Sequence, residues 1–369
     1  MSEPIFIARQ DTLEQEILPA HWLAQYKLFG EESYTFQDKG IWKKLCMSRA
    51  AANDRDMHAE ALEEMLTTFS AEHTGKWMLL VYGMDAAALE GLATMAAIAA
   101  NGTAMGAIAD NALLMHAIAN SETAMQRIAN SQTAMQRVAN NRGAMDAIGR
   151  SRIARDAVQA SPYYNSYIKE NDMAIAKLVV GFANLESAGY SGCAGMAADS
   201  TAMTAVAASS TAMTAVAASS TAMTAVAASG VALKAIAQAY KNTANMLQFL
   251  KAVNASDTLI KRIYNTLTNA TALFGTAQLG GQDSVADANK WATTSAAPNA
   301  FLACACGYYN SGGASVDVTY NGTAIAQNKT GTRQPGSVTS TNVNAITMAP
   351  STFTENGDGW LAVQKFTVK

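Results

Sequence analysis

A ten-residue unit, Ser-Thr-Ala-Met-Thr-Ala-Val-Ala-Ala-Ser, occurs three times without change across residues 200–229. A looser version fills residues 91–160, where methionines stand ten residues apart and each is followed three positions later by isoleucine or valine. A period this short is typical of a stack of small units that bury their apolar faces against one another. The repeat therefore favours a scaffold or spacer over a globular enzyme.

The predicted core of the stack consists of these methionines and the branched residues that follow them. They are Met95, Ile98, Met105, Ile108, Met115, Ile118, Met125, Ile128, Met135, Val138, Met145, Ile148, Met203, Val206, Met213, Val216, Met223 and Val226. Residues three apart lie on one face of a helix. Burial of each such side chain is worth roughly 1.5–3 kcal/mol, whereas ordering ten residues costs on the order of 10–20 kcal/mol. One unit therefore cannot fold alone, and neighbouring units must share the buried face.

The junctions between units argue against one continuous helix. Ten residues in three turns would be about 3.3 residues per turn, against about 3.6 for an α-helix. The pairs Asn130-Ser131 and Asn140-Asn141, with Asn120-Ser121 just before them, predict a helix stop, with asparagine in the left-handed region, followed by an N-cap. Each unit is therefore predicted to be about two turns of helix, and the whole to be a narrow α-solenoid that also packs against copies from other chains.

The composition changes along the chain and predicts an α+β multidomain protein, in which a short-helix α-solenoid shaft precedes a C-terminal antiparallel β-sandwich. The predicted domains are an N-terminal mixed attachment domain at 1–90, the first decapeptide array at 91–160, an irregular or helical connector at 161–196, the second array at 197–240, a helical segment at 241–275 and the β-sandwich at 276–369. Within the first of these, residues 54–70 have a helical apolar pattern.

The C-terminal region carries the clearest strand signals. Residues 316–320 alternate between apolar and polar, and Asn321-Gly322 then predicts a type I′ turn into a second strand. Residues 301–306 and 360–368 read as further strands. Asn356 and Asp358 offer oxygen ligands for Ca²⁺, but the glutamate that an EF-hand needs is missing, so a plain turn is favoured.

Charge and motifs exclude several classes of protein. Only 15% of residues are charged and the net charge is −3, so no clustered basic face for nucleic acid is expected. Residues 200–233 carry no charge, yet their serines and threonines disfavour a membrane span. The N-terminus has no pattern of a signal peptide, which predicts synthesis in a cytoplasm.

No local pattern indicates chemistry. Cys304 and Cys306 are expected to be small buried strand residues rather than metal ligands. The four histidines form no metal-binding pair, and no nucleotide-binding or nucleophile motif occurs. We therefore expect no enzyme, no metal and no cofactor, although carboxylates brought together by the fold, as in a glycosidase, stay open.

The order of a mixed N-terminal region, a repetitive and uncharged shaft and a β-region rich in Gly, Thr and Asn resembles tail-fibre and receptor-binding proteins of tailed bacteriophages. The resemblance lies in architecture and composition over the whole chain. It implies a homotrimer in the virion, residues 1–90 docked to tail or baseplate proteins, and a C-terminal domain that meets a host-surface glycan or protein. Many shafts of that class are β-structured or coiled coils, whereas this one is predicted to be short helices.

If the β-domain binds sugars, exposed aromatic rings are the expected contacts. The candidates are Tyr308, Tyr309, Tyr320 and Trp360. Two other functions remain open from the sequence: a purely structural collar, head-fibre or baseplate component without a receptor, and a bacterial surface adhesin.

Overall fold

The computed structural model describes residues 62, 63, 66, 84, 86–89, 91, 92, 94–283, 290–293, 299–308, 313–331, 337–357 and 360–369. The chain divides into two compact units. The first ends at Leu178 and also takes in Glu186–Ala188, and the second comprises Val179–Leu185 and Gly189–Lys369. Residues 54–70, where a helix was predicted, lie almost entirely outside the described part, as do Tyr309 and Asp358.

Helices are the regular elements of the first unit in the part that is described. Helix α10 begins in it and ends in the second unit. The helices are α1 (Ala86–Leu89), α2 (Met95–Ala100), α3 (Gly102–Asp110), α4 (Ala112–Ala119), α5 (Glu122–Ala129), α6 (Gln132–Ala139), α7 (Arg142–Arg150), α8 (Arg152–Ala160), α9 (Tyr164–Tyr167) and α10 (Asp172–Phe182). From α3 to α8, one helix therefore begins about every ten residues.

The N-caps predicted at the junctions are observed. The side chains of Ser121, Ser131 and Asn141 each accept a hydrogen bond from the backbone N–H three residues on. The left-handed stop predicted at Asn130 and Asn140 was wrong, because their φ angles are −91° and −96°. Both asparagines instead donate their side-chain N–H to the carbonyl four residues earlier, at 2.9 Å, which ends the helix without a positive φ.

The second unit begins with helices of the same kind and ends in β-structure. Its helices are α11 (Cys193–Ala198), α12 (Ser200–Ala208), α13 (Ser210–Ala218), α14 (Ser220–Ala227), α15 (Gly230–Gln238), α16 (Thr243–Asn254) and α17 (Asp257–Asn269). The unchanged ten-residue units of the sequence each give one helix, α12, α13 and α14, and each helix is capped by the serine or aspartate before it.

In both units a helix lies against the next helix and against the helix three further along the chain. The second kind of contact joins α2 to α5, α3 to α6, α4 to α7 and α5 to α8, and likewise α11 to α14, α12 to α15, α13 to α16 and α14 to α17. All eighteen predicted core residues of the repeats are buried, none more than 3% exposed. The alanine that precedes most of these methionines is buried as well, as at Ala104, Ala124 and Ala202, and this small residue allows the helices to approach closely.

Two antiparallel sheets follow the helices. The strands are β1 (Phe274–Asp283), β2 (Lys290–Thr293), β3 (Ala300–Gly307), β4 (Ala314–Tyr320), β5 (Thr323–Thr330), β6 (Ala345–Met348), β7 (Ser351–Gly357) and β8 (Trp360–Val368). The sheet orders are β1-β8-β3-β6 and β2-β7-β4-β5. The predicted turn between β4 and β5 is confirmed, since Asn321 and Gly322 have φ of 46° and 75° and Tyr320 pairs with Thr323.

Helices α16 and α17 pack against the first sheet, which the prediction of a separate β-domain did not include. Asn254, at the end of α16, bonds to both the N–H and the carbonyl of Ile346 on the edge strand β6, at 3.1 and 2.7 Å. The Tyr264 hydroxyl of α17 lies 2.9 Å from the side-chain oxygen of Gln364 on β8. β3, a central strand of this sheet, is buried along its whole length rather than on one face only.

Candidate functional site

The repeated feature with a chemical role is the side chain that caps each short helix. A helix leaves its first N–H groups and its last carbonyls without intrahelical partners. Ser131 accepts a hydrogen bond from Ala134 N–H at 3.3 Å and donates its hydroxyl to the Ala99 carbonyl at 2.6 Å. The first bond caps α6, and the second satisfies a carbonyl in the last turn of α2. One serine therefore completes the ends of two helices.

The same pairing recurs at a fixed separation of 32 residues. Its acceptors are carbonyls in the last turn of an earlier helix. The pairs are Ser131 with Ala99, Ser151 with Ala119, Ser161 with Ala129, Asn171 with Ala139 and Ser229 with Ala197. Because consecutive helices begin about ten residues apart, this separation spans three units of the array. The capping residue precedes its own helix, so it bonds to the helix four before the one that it caps: Ser131 joins α6 to α2, and Ser151 joins α8 to α4.

A carboxylate takes the place of this carbonyl near the start of the first array. The Ser121 hydroxyl donates to Glu63, and Glu63 also accepts the Thr123 N–H at 3.2 Å and the Thr123 hydroxyl at 2.6 Å. An anion at the N-terminus of α5 is favourable, because the helix dipole is positive there. Glu63 therefore completes the α5 cap from a segment that lies outside the repeats in sequence.

Buried charge marks the end of the first array. Lys177 on α10 is fully buried, and its ammonium forms an ion pair with Asp146 on α7 and donates to the Ser187 carbonyl at 3.1 Å. The Ser187 hydroxyl approaches the same carboxylate at 3.4 Å. Gly149 leaves room for this serine, because a Cβ there would lie 2.7 Å from the Ser187 oxygen.

Two arginines of α7 also bind residues 186–188, one through a hydrogen bond and the other through an ion pair. Arg142 donates to the Ala188 carbonyl at 2.8 Å, and Arg150 pairs with Glu186 at 2.8 Å. The side chain of Asp146 is 18% exposed and points toward Lys177 rather than fully into solvent. Residues 186–188 therefore lie against α7.

Arg155 interrupts the apolar stripe one helix later. It occupies the repeat position held by methionine in Met125, Met135 and Met145, yet it is only 7% exposed. Its guanidinium donates to the Gly149 carbonyl at 2.7 Å, within the last turn of α7. Burial lowers the pKa of Arg155, and the neighbouring Asp156 opposes that shift.

An aspartate replaces serine as the first cap of the second array. Asp199 accepts the N–H groups of Thr201 and Ala202 at 2.8 and 3.1 Å and the hydroxyl of Tyr190 at 2.8 Å. The Ala202 N–H, the Tyr190 hydroxyl and the Thr201 N–H together hold the pKa of Asp199 below its usual value. Burial and the hydrogen bond to Asp199 raise the pKa of Tyr190 to about 12.

The predicted sugar-stacking aromatics are not brought together at one surface. Tyr320 and Trp360 are 2% and 1% exposed, which corrects their assignment as ligand contacts, because a buried ring has no free face to stack on a sugar. Tyr308 is half-buried at the end of β3. Tyr309 lies outside the described residues.

The cysteines of the β-region are core residues in the structure. Cys304 and Cys306 are fully buried, and burial raises the pKa of the Cys304 thiol, which makes it a poor nucleophile or ligand at neutral pH. Within the described ranges, no group of three or more His, Cys, Asp or Glu side chains is arranged to hold a metal ion.

Several of these residues could not be found from local sequence patterns. The buried Lys177 stands at a position where other units carry alanine or an exposed arginine. The one available signal was its periodicity: Lys177 falls in phase with Ala117 and Ala147, both of which are buried. The second bond of each cap also has no local signal, since donor and acceptor lie 32 residues apart.

Comparison with known proteins identifies no relative. No protein-family model matches the chain, and a search of curated proteins finds no significant match. No single helix in the described part of the chain has both the length and the apolar character to cross a membrane. Two pairs of consecutive helices reach that length only when joined, and they bend by 102° and 95° at their junctions.

Proposed function

We propose that the chain is a structural virion protein, a tail fibre of a tailed bacteriophage without catalytic activity. In this proposal the repeats form an α-solenoid shaft, and residues 1–90 attach the fibre to tail or baseplate proteins. A β-sandwich in residues 276–369 meets a glycan or protein on the host surface. The observation that carries the proposal is the cap serine that bonds to the helix four before the one it caps, because it makes each unit depend on its neighbours along the chain.

The energetics of the caps favour a mechanical role for the arrays. Loss of an N-cap side chain costs about 0.5–2 kcal/mol, and here the same hydroxyl also satisfies a carbonyl such as that of Ala119. Stability of such a stack is a sum over units and their interfaces, so the chain lengthens by adding units without a new core. A spacer needs this property, whereas an enzyme cleft does not.

The surface of the second array supports association with other copies. The outward residues of α12, α13 and α14 are Ser, Thr and Ala, without any charge. A surface of that kind is less well solvated than the charged surface of the first array, where Arg127 and Arg137 are exposed. The resemblance to phage fibres favours a homotrimer.

Two measurements on the purified full-length chain test the shaft and the oligomer. Electron microscopy should find an elongated particle that contains a rod, and a compact sphere would reject the shaft. Light scattering at micromolar concentration should give three times 38.7 kDa, whereas a monomer would reject the trimer.

Binding to cells tests the attachment role. The labelled full-length chain should bind to cells of its bacterial host and reduce adsorption of the phage that carries it. A rod that binds no cells would favour the collar, head-fibre or baseplate component instead. Detection of the chain on the surface of uninfected bacteria would favour the adhesin.

A further inference from the structure

A polar groove lies along the exposed face of α17, within the second unit. It is made of two adjoining cavities of about 650 and 310 Å³. The larger lies between α17 and the turn before α15, at Ala228 and Gly230. The smaller lies between the start of α17, the end of β5 and residues 341–344. Lys261 lines both cavities, so they adjoin each other at its side chain.

Several polar side chains of the groove are available to bind a ligand. Lys261, Arg262, Asn265 and Asn269 are exposed, and within the described ranges their side chains have no hydrogen-bond or ion-pair partner. In the smaller cavity, Lys329 lies 3.1 Å from a carboxylate oxygen of Asp257, and its side chain is 23% exposed. Three cations therefore face one carboxylate along the groove.

The walls of the smaller cavity are held by two hydrogen-bonded amides, Asn342 and Asn344. The side-chain oxygen of Asn344 accepts the Cys306 N–H at 2.7 Å, and its nitrogen donates to the Thr330 carbonyl at 2.8 Å. Asn342 is 3% exposed, accepts the Thr339 N–H at 2.6 Å and donates to the Ser337 carbonyl at 2.8 Å. A wall that is already ordered lowers the entropy cost of binding.

A third contact fixes the backbone beside Lys329. Asn328 has a φ of 50°, and its N–H donates to the carboxylate of Asp317 at 2.6 Å. This irregularity in β5 coincides with the shift of strand register between β4 and β5. It changes the direction of the strand locally, as bulges commonly do beside active sites. Asn328 and Lys329 both line the cavity.

We propose that this groove binds an acidic oligosaccharide, with its carboxylates on Lys261, Arg262 and Lys329 and its hydroxyls on the amides of Asn265 and Asn269. The proposal rests on the host-attachment role in that the sugar would belong to the host surface. Cations with free donors recognise carboxylates strongly, and a lining of amides and hydroxyls suits a ligand rich in hydroxyls. Two cavities of about 650 and 310 Å³ that adjoin at Lys261 offer room for several sugar rings rather than for one small ion.

The Asp257 carboxylate allows a test in which one substitution should strengthen binding. It competes with a ligand carboxylate for Lys329, because both would bond to the same ammonium. The variant Asp257→Asn replaces this carboxylate with a neutral amide of nearly the same shape. It should therefore strengthen binding, whereas loss of either lysine should weaken it. If binding depended only on the overall surface charge, replacing a lysine outside the groove would weaken it as much.

The test is calorimetric titration of the full-length chain with a tetramer of galacturonic acid, with maltotetraose as the neutral control and inorganic phosphate as the control anion. Lys261→Gln and Lys329→Gln should each raise the Kd about tenfold, the usual size of one charged hydrogen bond. Asp257→Asn should lower it. Lys251→Gln, on the exposed surface of α16, is the matched control and should leave the Kd unchanged, and circular dichroism checks that each variant is folded.

Each other outcome has a definite meaning. No binding of the acidic tetramer, or binding that the Lys261 and Lys329 variants do not alter, overturns the groove as its site. Maltotetraose or phosphate binding as tightly as the acidic tetramer overturns the ligand class. Full-length Lys261→Gln protein that attaches to host cells as well as the unaltered chain rejects this site and leaves host attachment standing. Binding of the tetramer without any cell attachment supports the groove as a binding site and rejects the role in host attachment.

Discussion

At the scale of single residues, the ends of the arrays depend on a few buried polar groups. Lys177 has no exposed surface, so its charge is tolerated only because Asp146 and the Ser187 carbonyl replace water. Burial of an ion pair often contributes little net stability, but removal of one partner leaves an uncompensated charge. This asymmetry predicts how the pair responds to substitution.

We expect Asp146→Ala to destabilise the region around α7 and α10 by about 3–5 kcal/mol, because it strands the Lys177 ammonium in the core. Lys177→Met in the same chain should recover most of the loss, since the buried charge is then gone. Native-state hydrogen exchange of the α7 and α10 amides measures both effects. A double variant as unstable as Asp146→Ala alone would show that the carboxylate acts through packing and not through charge.

The Asp199–Tyr190 pair predicts a pH dependence for the first cap of the second array. The pKa of Asp199 is lowered on folding, so its contribution is present above the unfolded pKa and is lost as the pH falls through the folded one. The pKa of Tyr190 shifts in the opposite direction on folding. Its pKa is raised to about 12, so its contribution is present below the usual value of about 10 and is lost as the pH rises through about 12. The cap is therefore strongest between these limits.

The measurement is a carbon NMR titration of Tyr190. Its midpoint should lie near 12 in the unaltered chain and should fall toward about 10 in Asp199→Asn, where the negative charge is absent. Burial of the ring also raises this pKa, so the fall should be partial. A midpoint that the substitution does not move would assign the whole shift to burial.

At the scale of helices, one serine joins two elements that are distant in sequence. We expect Ser151→Ala to weaken α8, which it caps, and also α4, whose Ala119 carbonyl loses its donor. The cost should be about 1–3 kcal/mol, since a lost cap and a buried unsatisfied carbonyl both contribute. Hydrogen exchange should find lowered protection in both helices. The control Gln136→Ala, at an exposed position, should lower neither, and an effect confined to α8 would reject the stacking bond.

Short-range patterns explain which elements could be predicted. The caps at Ser121 and Ser131 and the Asn321-Gly322 turn depend on residues within a few positions, so their residue types were enough. The burial of Tyr320 and Trp360 and the contact of Asn254 with β6 depend on residues up to 92 apart. Nothing in the local sequence says that α16 and α17 cover the first sheet, and the sugar-stacking hypothesis was wrong for Tyr320 and Trp360 because burial of this kind has no local signal.

At the scale of the whole molecule, the arrays and the groove divide the work in the proposed fibre. The repeats bury methionine and alanine in a pattern that is almost the same in every unit, so their core does not depend on any single unit. The groove instead draws on residues that occur once, such as Lys261, Lys329 and Asn344, supplied by a helix, a strand and a loop. Length and recognition can therefore change independently of one another.

The contacts between helices three apart predict how length depends on repeat number. Insertion of a second copy of residues 200–229 adds three helices, which should stack as one further layer. Packed helices lie about 8–10 Å apart, so the rod should lengthen by about that distance, whereas a continuous helix of thirty residues would add about 45 Å. Small-angle scattering or electron microscopy distinguishes the two. A ten-residue insertion is the matched control. It should add about a third of one layer, because three helices make one layer. No change in length, or an increase of about 15 Å as a continuous helix would give, would contradict stacking by threes.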